Sequence, residues 1–171
     1  MDFFALLGIA PDFDIDVKQL EAAYVKAQLA YHPDRMVGKN TDEKIKAATL
    51  STQINEAFST LKTPLKRAQY LLKRSGIDVM NETSGIKPAQ EVLMYILNIR
   101  EQVEDANSQQ ALEALDDQLK STIQADISSL SVAFKENSLP NAAQLTIRLG
   151  YLQKCLEDIR IQKKNRFAKQ A

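Results

Sequence analysis

The sequence predicts an all-α protein in two helical halves, and three observations carry that prediction. Gly and Pro occur only five times each in 171 residues, too few breakers for a sheet rich in turns. Apolar residues recur at intervals of three and four along most of the chain, the spacing of one helix face. No stretch alternates apolar and polar residues as a half-buried strand does. The length is enough to bury a core without disulfides or a structural metal.

The elements follow in order. Asp2 precedes Phe3, Phe4, Leu6 and Leu7, a short apolar turn closed by Gly8. Asp16, with Gln19 three residues on, signals a capping box for the next helix, whose stripe is Val17, Leu20, Tyr24, Ala27 and Tyr31. Pro33 stops that helix by removing a donor and biasing the preceding residue away from helical angles. A polar loop with Gly38, Lys39 and Asn40 follows. Thr41 is predicted to cap a third helix burying Ala47, Leu50, Ile54, Ala57, Phe58 and Leu61. Thr63-Pro64 reads as a cap and first-turn proline for a fourth helix through Arg74, and Gly76 suits its end.

The turn-rich stretch around Ser75–Asp78 and Asn81–Gly85 reads as a linker. The predicted organisation is 1–76, a linker 77–87, and 88–171. In the second half Val92, Ile96, Ile99, Val103 and Ala106 form one stripe. After Ser108 a second comprises Leu112, Leu115, Leu119, Ile123, Ile127, Leu130 and Phe134. Ser138-Leu139-Pro140 restarts the chain, and Leu145, Leu149, Leu152, Leu156 and Ile159 carry the third. Three long amphipathic helices with short connections imply an antiparallel bundle.

Charge and composition narrow the function. Lys plus Arg number 22, as do Asp plus Glu, so no net field collects phosphates and general nucleic-acid binding loses its main drive. One Cys forbids an intrachain disulfide, and with one His it argues against a zinc site. No run reaches the length of a membrane span. The opening MDFFALLGIAPDFD lacks a basic n-region and carries acids early, unlike a signal peptide. The expected location is the cytoplasm.

The single His lies in Tyr31-His32-Pro33-Asp34-Arg35. Alone, His-Pro-Asp reads as a helix stop whose polar groups satisfy local backbone. Its context, a polar loop joining two amphipathic helices of a four-helix unit, gives it more weight. Residues 1–76 resemble a J-domain, the module that stimulates the ATPase of seventy-kilodalton heat-shock chaperones. The matching segments are DFFALLGI, AYHPDR and INEAF. TLKTPLKRAQYLL and the helical second half, beginning VLMYILNIRE, resemble the HscB family of co-chaperones for iron–sulfur cluster assembly, in its bacterial form.

That resemblance implies that His32, Pro33, Asp34, Arg35 and Lys26 dock on the chaperone's ATPase domain. J-domains often carry a denser basic run on the second helix. Here Lys18 and Lys26 stand with Gln19 and Gln28 nearby, so the electrostatic share of docking is smaller or tuned to one chaperone.

The helix starting near Pro88 is informative without any family. Leu93, Met94 and Leu97 fall away from the Val92/Ile96/Ile99 stripe, and Glu101 and Asp105 continue their face. Two readings stand: these residues pack on another part of the chain, or they form an exposed apolar patch with an acidic rim, as protein-binding sites do. The HscB resemblance implies the second, with Leu93, Met94, Leu97, Glu101, Asp105 and Tyr151 binding an IscU-like iron–sulfur scaffold protein. Asn98 stands where the family leads one to expect an acid.

Cys155 reads as a small, partly buried filler, and the basic ending RIQKKNRFAKQA as a solvated, fraying helix end. The expected function is that of a co-chaperone that activates an HscA- or DnaK-like chaperone and delivers the scaffold to it. Such a protein is not an enzyme and needs no cofactor, metal, nucleic acid or membrane. The rival is a helical adaptor with an incidental His-Pro-Asp loop; an enzyme built on His32 is a distant third.

Overall fold

The computed structural model describes residues 2–31, 40–80 and 86–167. Among them are seven helices and no strand: α1 (Phe3–Leu7), α2 (Val17–Tyr31), α3 (Thr41–Lys62), α4 (Pro64–Arg74), α5 (Gln90–Asp105), α6 (Gln109–Lys135) and α7 (Leu139–Phe167). The all-α prediction is met. The chain divides into two compact units, 1–70 and 71–171, with the division inside α4.

In the first unit, Asp2 accepts from the backbone N–H groups of Phe4 and Ala5 at the head of α1. Gly8 ends it at φ 66°, a left-handed conformation that a Cβ would strain. Asp16 caps α2 through the N–H groups of Lys18 and Gln19. The α2 stripe is only partly covered. Leu20 is fully buried and Tyr24 and Ala27 are half-buried, whereas Val17 and Tyr31 at its ends are exposed. Tyr24 stacks on Phe58 of α3 with ring centres 4.1 Å apart and donates to Asn55 at 2.9 Å.

The cap of α3 differs from the sequence expectation. Asn40, not Thr41, is the N-cap: its side chain accepts from Glu43 N–H, and the Glu43 carboxylate accepts from Asn40 N–H. This reciprocal box satisfies two donors together, which a Thr41 cap lacking a partner three residues on could not match. Ala47, Ile54, Ala57 and Leu61 are buried as predicted, with Leu50 and Phe58 half-buried. Thr63 turns its hydroxyl back to donate to the Ser59 carbonyl, and Pro64 begins α4.

In the second unit, Gly76 takes φ 82° and Ile77 N–H closes on the Leu72 carbonyl, ending α4. α6 packs along α7, and α5 packs against α7. Their shared core includes Ile96, Ile99, Val103, Leu112, Leu119, Leu152, Cys155 and Ile159. Asn137 at φ 53° and the bond from Ser138 N–H to the Ala133 carbonyl reverse the chain between α6 and α7. The buried face of α7 lies around Ala142, Ala143, Thr146, Leu149, Leu152 and Ile159, while the predicted Leu145 and Leu156 are only half-buried.

Both ends of α5 are held by side chains of α7. Ala89, its N-cap, has no side chain able to cap. Gln144 supplies the function instead, accepting from Ala89 N–H and donating to the Lys87 carbonyl. At the other end Arg166 donates to the carbonyls of Glu104 and Ala106, oxygens that lack an intrahelical partner. Within the ending read as a solvated, fraying helix end, α7 is helical to Phe167, Lys163 and Arg166 are tied to the bundle, and residues 168–171 lie outside the described ones.

Two carboxylates that the apolar stripes did not foretell are buried on α6. Asp116 accepts from Lys120 at 2.6 Å and faces Lys163 at 3.6 Å. Burial opposes its charge, but these ammonium groups outweigh it and hold the carboxyl below its ordinary range. Asp126 pairs with Arg148 at 3.1 Å, and there burial prevails and pushes the carboxyl up. Cys155 is fully rather than partly buried. Burial raises its thiol pKa, so it is a poor nucleophile.

Candidate protein-binding surfaces

The first candidate surface lies on α2. His32, Pro33, Asp34 and Arg35 lie outside the described residues. Lys26, six residues before the His, is exposed, as is Lys18. Glu21 on the same helix is occupied by Lys62 of α3 at 3.0 Å. Gln28 bonds Asn55 and Ser51 of α3, so it braces the two helices and is not free for a partner. Exposed Val25 and Leu29 share a face, four residues apart.

The second surface lies on α5. Its inner face buries Ile96, Ile99 and Val103 against the bundle. The opposite face leaves Leu93, Met94 and Leu97 exposed by 41%, 61% and 53%. Water contact over three large apolar side chains within five residues is costly unless something covers them. Glu101 and Asp105 continue this face and are exposed. Met94, Tyr95, Leu97, Asn98 and Glu101 line a shallow groove of about 390 Å³. Asn98 accepts from Gln102 one turn on, which fixes its amide at the groove edge. Tyr151, on α7, is half-buried against the shared core, with the Lys154 ammonium 5.9 Å from its ring centre.

Of the six residues assigned to this surface, Met94, Leu97 and Glu101 meet in one groove, and Leu93 and Asp105 extend the same helix. Tyr151 is not among the groove's described lining. Tyr95 was missed: one position before Ile96, it reads as an edge of the core stripe. Among the described residues no group of three or more His, Cys, Asp or Glu could hold a metal ion. No described helix is long and apolar enough to cross a membrane.

Among the described residues, these two exposed helix faces on an all-helical frame are the candidate protein-binding surfaces. The family comparisons make the class specific. Residues 2–70 match the DnaJ domain, so the chain is a J-domain protein. Residues 88–160 match the HSCB C-terminal oligomerisation domain. The co-chaperone protein HscB homolog of Pseudoalteromonas atlantica is 34% identical over 169 residues, covering 94% of this chain and 95% of that protein. The iron–sulfur cluster co-chaperone protein HscB of Mus musculus is 30% identical over 162 residues, 95% of this chain and 69% of that protein. The chain belongs to the HscB family of iron–sulfur cluster co-chaperones.

Solved structures agree. Human co-chaperone protein HscB gives a TM-score of 0.88 at 28% identity, covering 95% of this chain and 82% of that one. Chaperone HscB from Vibrio cholerae gives 0.85 at 25% identity, covering 96% and 99%.

Proposed function

We propose that this protein activates the ATPase of a seventy-kilodalton heat-shock chaperone, HscA- or DnaK-like, and delivers to it an IscU-like iron–sulfur scaffold protein. Transfer of the cluster to acceptor proteins follows from the chaperone's ATP cycle. In this reading residues 1–76 are the J-domain, 77–87 the linker and 88–171 the scaffold-binding bundle. His32, Pro33, Asp34, Arg35 and Lys26 dock on the chaperone. Leu93, Met94, Leu97, Glu101, Asp105 and Tyr151 bind the scaffold.

The observation that carries the reading is the uncovered apolar face of α5, running into Glu101 and Asp105, in a chain that also carries a J-domain. The apolar centre supplies affinity, and the acids select a partner with cations at its margin. The chain donates no catalytic group. It favours the chaperone conformation on the path to hydrolysis, a coupling of binding free energies. Carrying both docking faces on one polypeptide raises the effective concentration of scaffold at the chaperone. The cluster is the scaffold's cargo, and among the described residues no group of three or more His, Cys, Asp or Glu could hold it. The site of action in this reading is the cytoplasm.

The test is steady-state ATP hydrolysis by a purified HscA- or DnaK-type chaperone, with this protein and the scaffold added singly and together. Synergistic stimulation is the expected result. Absence of stimulation with either chaperone would leave a helical adaptor with another partner.

A further inference from the structure

The residues lining the groove all belong to α5, but one of them is in contact with α7. Tyr95, one of its lining residues, is half-buried against the bundle core. From α7, Arg148 sets its guanidinium 5.5 Å from the Tyr95 ring centre, within cation–π range. Arg148 is itself ion-paired with the buried Asp126 of α6, Nε to Oδ2 at 3.1 Å, without hydrogen-bond geometry. Three helices thus contribute to one assembly.

Two consequences follow from its placement. Arg148 and Tyr151 are three residues apart on α7, so they are surface neighbours. The Tyr95–Arg148 contact therefore sets beside the α5 groove the stretch of α7 that also carries Tyr151, the residue that family resemblance assigned on the other helix. Second, the Arg148 side chain is about one-third exposed although its Nε is buried, so it is part of the surface beside Tyr95. Along α5 the surface has a cation beside Tyr95 and acids at Glu101 and Asp105, about 9 and 15 Å further on at 1.5 Å per residue.

We propose that Tyr95 and Arg148 are contact residues of the scaffold-binding surface, joining the α5 groove to Tyr151, with Asp126 as the positioning residue that holds Arg148 over the ring. This inference rests on the scaffold reading above. Tyr95 offers a rigid aromatic platform with few rotamers to freeze, the kind of side chain that dominates interface energetics. Arg148 and the Glu101/Asp105 pair give the surface opposite charges at its two ends. A partner must then bring a carboxylate or carbonyl to Arg148 and a cation to the acids, which fixes its direction along α5.

The experiment is titration calorimetry of the full chain with purified scaffold protein at low and high salt, for Tyr95→Ala, Asp126→Asn, the double variant Arg148→Met/Asp126→Asn, and Leu97→Ala as reference. The double variant removes the ion pair without stranding a buried charge, and circular dichroism and thermal melting report its fold. The expected result is an affinity loss of about tenfold for Tyr95→Ala. The double variant loses severalfold and has a flatter salt dependence. Asp126→Asn alone falls between it and wild type. Loss of melting temperature with unchanged affinity and salt slope would reduce the trio to scaffolding and overturn the inference. If Leu97→Ala weakens binding while Tyr95→Ala and the double variant do not, the inference fails and the scaffold reading stands. If Leu97→Ala also binds normally, the scaffold reading falls and takes the inference with it. Should the double variant unfold, Tyr95→Ala decides.

Discussion

Arg67 Nη1 lies 2.5 Å from the carbonyl oxygen of Leu61, so a side chain of α4 closes the C-terminus of α3. That oxygen belongs to the last turn of α3 and has no intrahelical donor. The same guanidinium sits 5.1 Å from the ring centre of Phe13. Burial lowers its pKa, against the pull of Asp14 and Asp12. Arg67 is the arginine of the RAQYLL segment, and its first role is to join α3, α4 and the loop that carries Phe13.

Arg67→Ala is therefore expected to cost about 3 kcal/mol, combining an unsatisfied buried carbonyl with lost packing. Urea unfolding of the full chain measures it. A loss well below 1 kcal/mol would mean that water replaces the guanidinium at Leu61.

The Asp116 cluster predicts a pH dependence. Its carboxyl is held below the ordinary 3.8, so the folded state is the stronger acid. Its stabilisation is present above pH 3.8 and is lost as pH falls through the lower folded value. Asp116→Asn should lose about 1 kcal/mol at neutral pH, since Lys120 is half-exposed and screened. The gap from wild type should close under acid in a series of melts. Asp126 has the opposite sign: its pKa is raised, so its contribution is present below 3.8 and lost as pH rises through the folded value. A gap at Asp116 that stayed constant with pH would assign the loss to packing alone.

Leu97 and Ile99 lie two positions apart on opposite faces of α5, exposed by 53% and 1%. Leu97→Ala should weaken scaffold binding by about 1–3 kcal/mol, as a central apolar anchor does, and leave stability nearly unchanged. Ile99→Ala should destabilise the bundle by about 2–5 kcal/mol. Calorimetric titration and thermal melts of both variants measure the split. Equal affinities for wild type and Leu97→Ala would make the exposed face a bystander.

His32→Gln should abolish stimulation of the chaperone ATPase while helicity and scaffold binding persist. The two docking functions are assigned to separate parts of the chain, so one should be removable without the other. Equal loss of scaffold binding in the variant would contradict the two-module assignment.

The helices themselves were legible because their causes are local. The α5 stripe of Ile96, Ile99, Val103 and Ala106 is buried as its spacing required. Asp2, Asp16, Gly8 and Gly76 punctuate the chain where their chemistry predicts. The cap of α3 was missed by one residue. Asn40 looked like loop, and only its pairing with Glu43 reveals the box.

Leu93, Met94 and Leu97 were recognisable as surplus to a single stripe, but spacing cannot say whether another element covers them. Burial of Asp116 and Asp126 was invisible for a similar reason. A carboxylate on an apolar face is tolerated only where a cation meets it, and Lys163 and Arg148 come from another helix. Tyr95 and Arg148 are unremarkable in sequence, 53 residues apart (148 − 95), and form a unit only because α5 and α7 pack together.

By itself, then, the sequence determined the number and type of elements, their core stripes, and the family to which they belong. Periodicity, caps and short motifs act within a few residues of themselves. The tertiary structure alone decided which apolar face stays uncovered, which charges are buried in pairs, and that α7 clamps both ends of α5 through Gln144 and Arg166. Those outcomes depend on close approach between segments distant in the chain, where packing and charge pairing set the free energy and no local pattern records it.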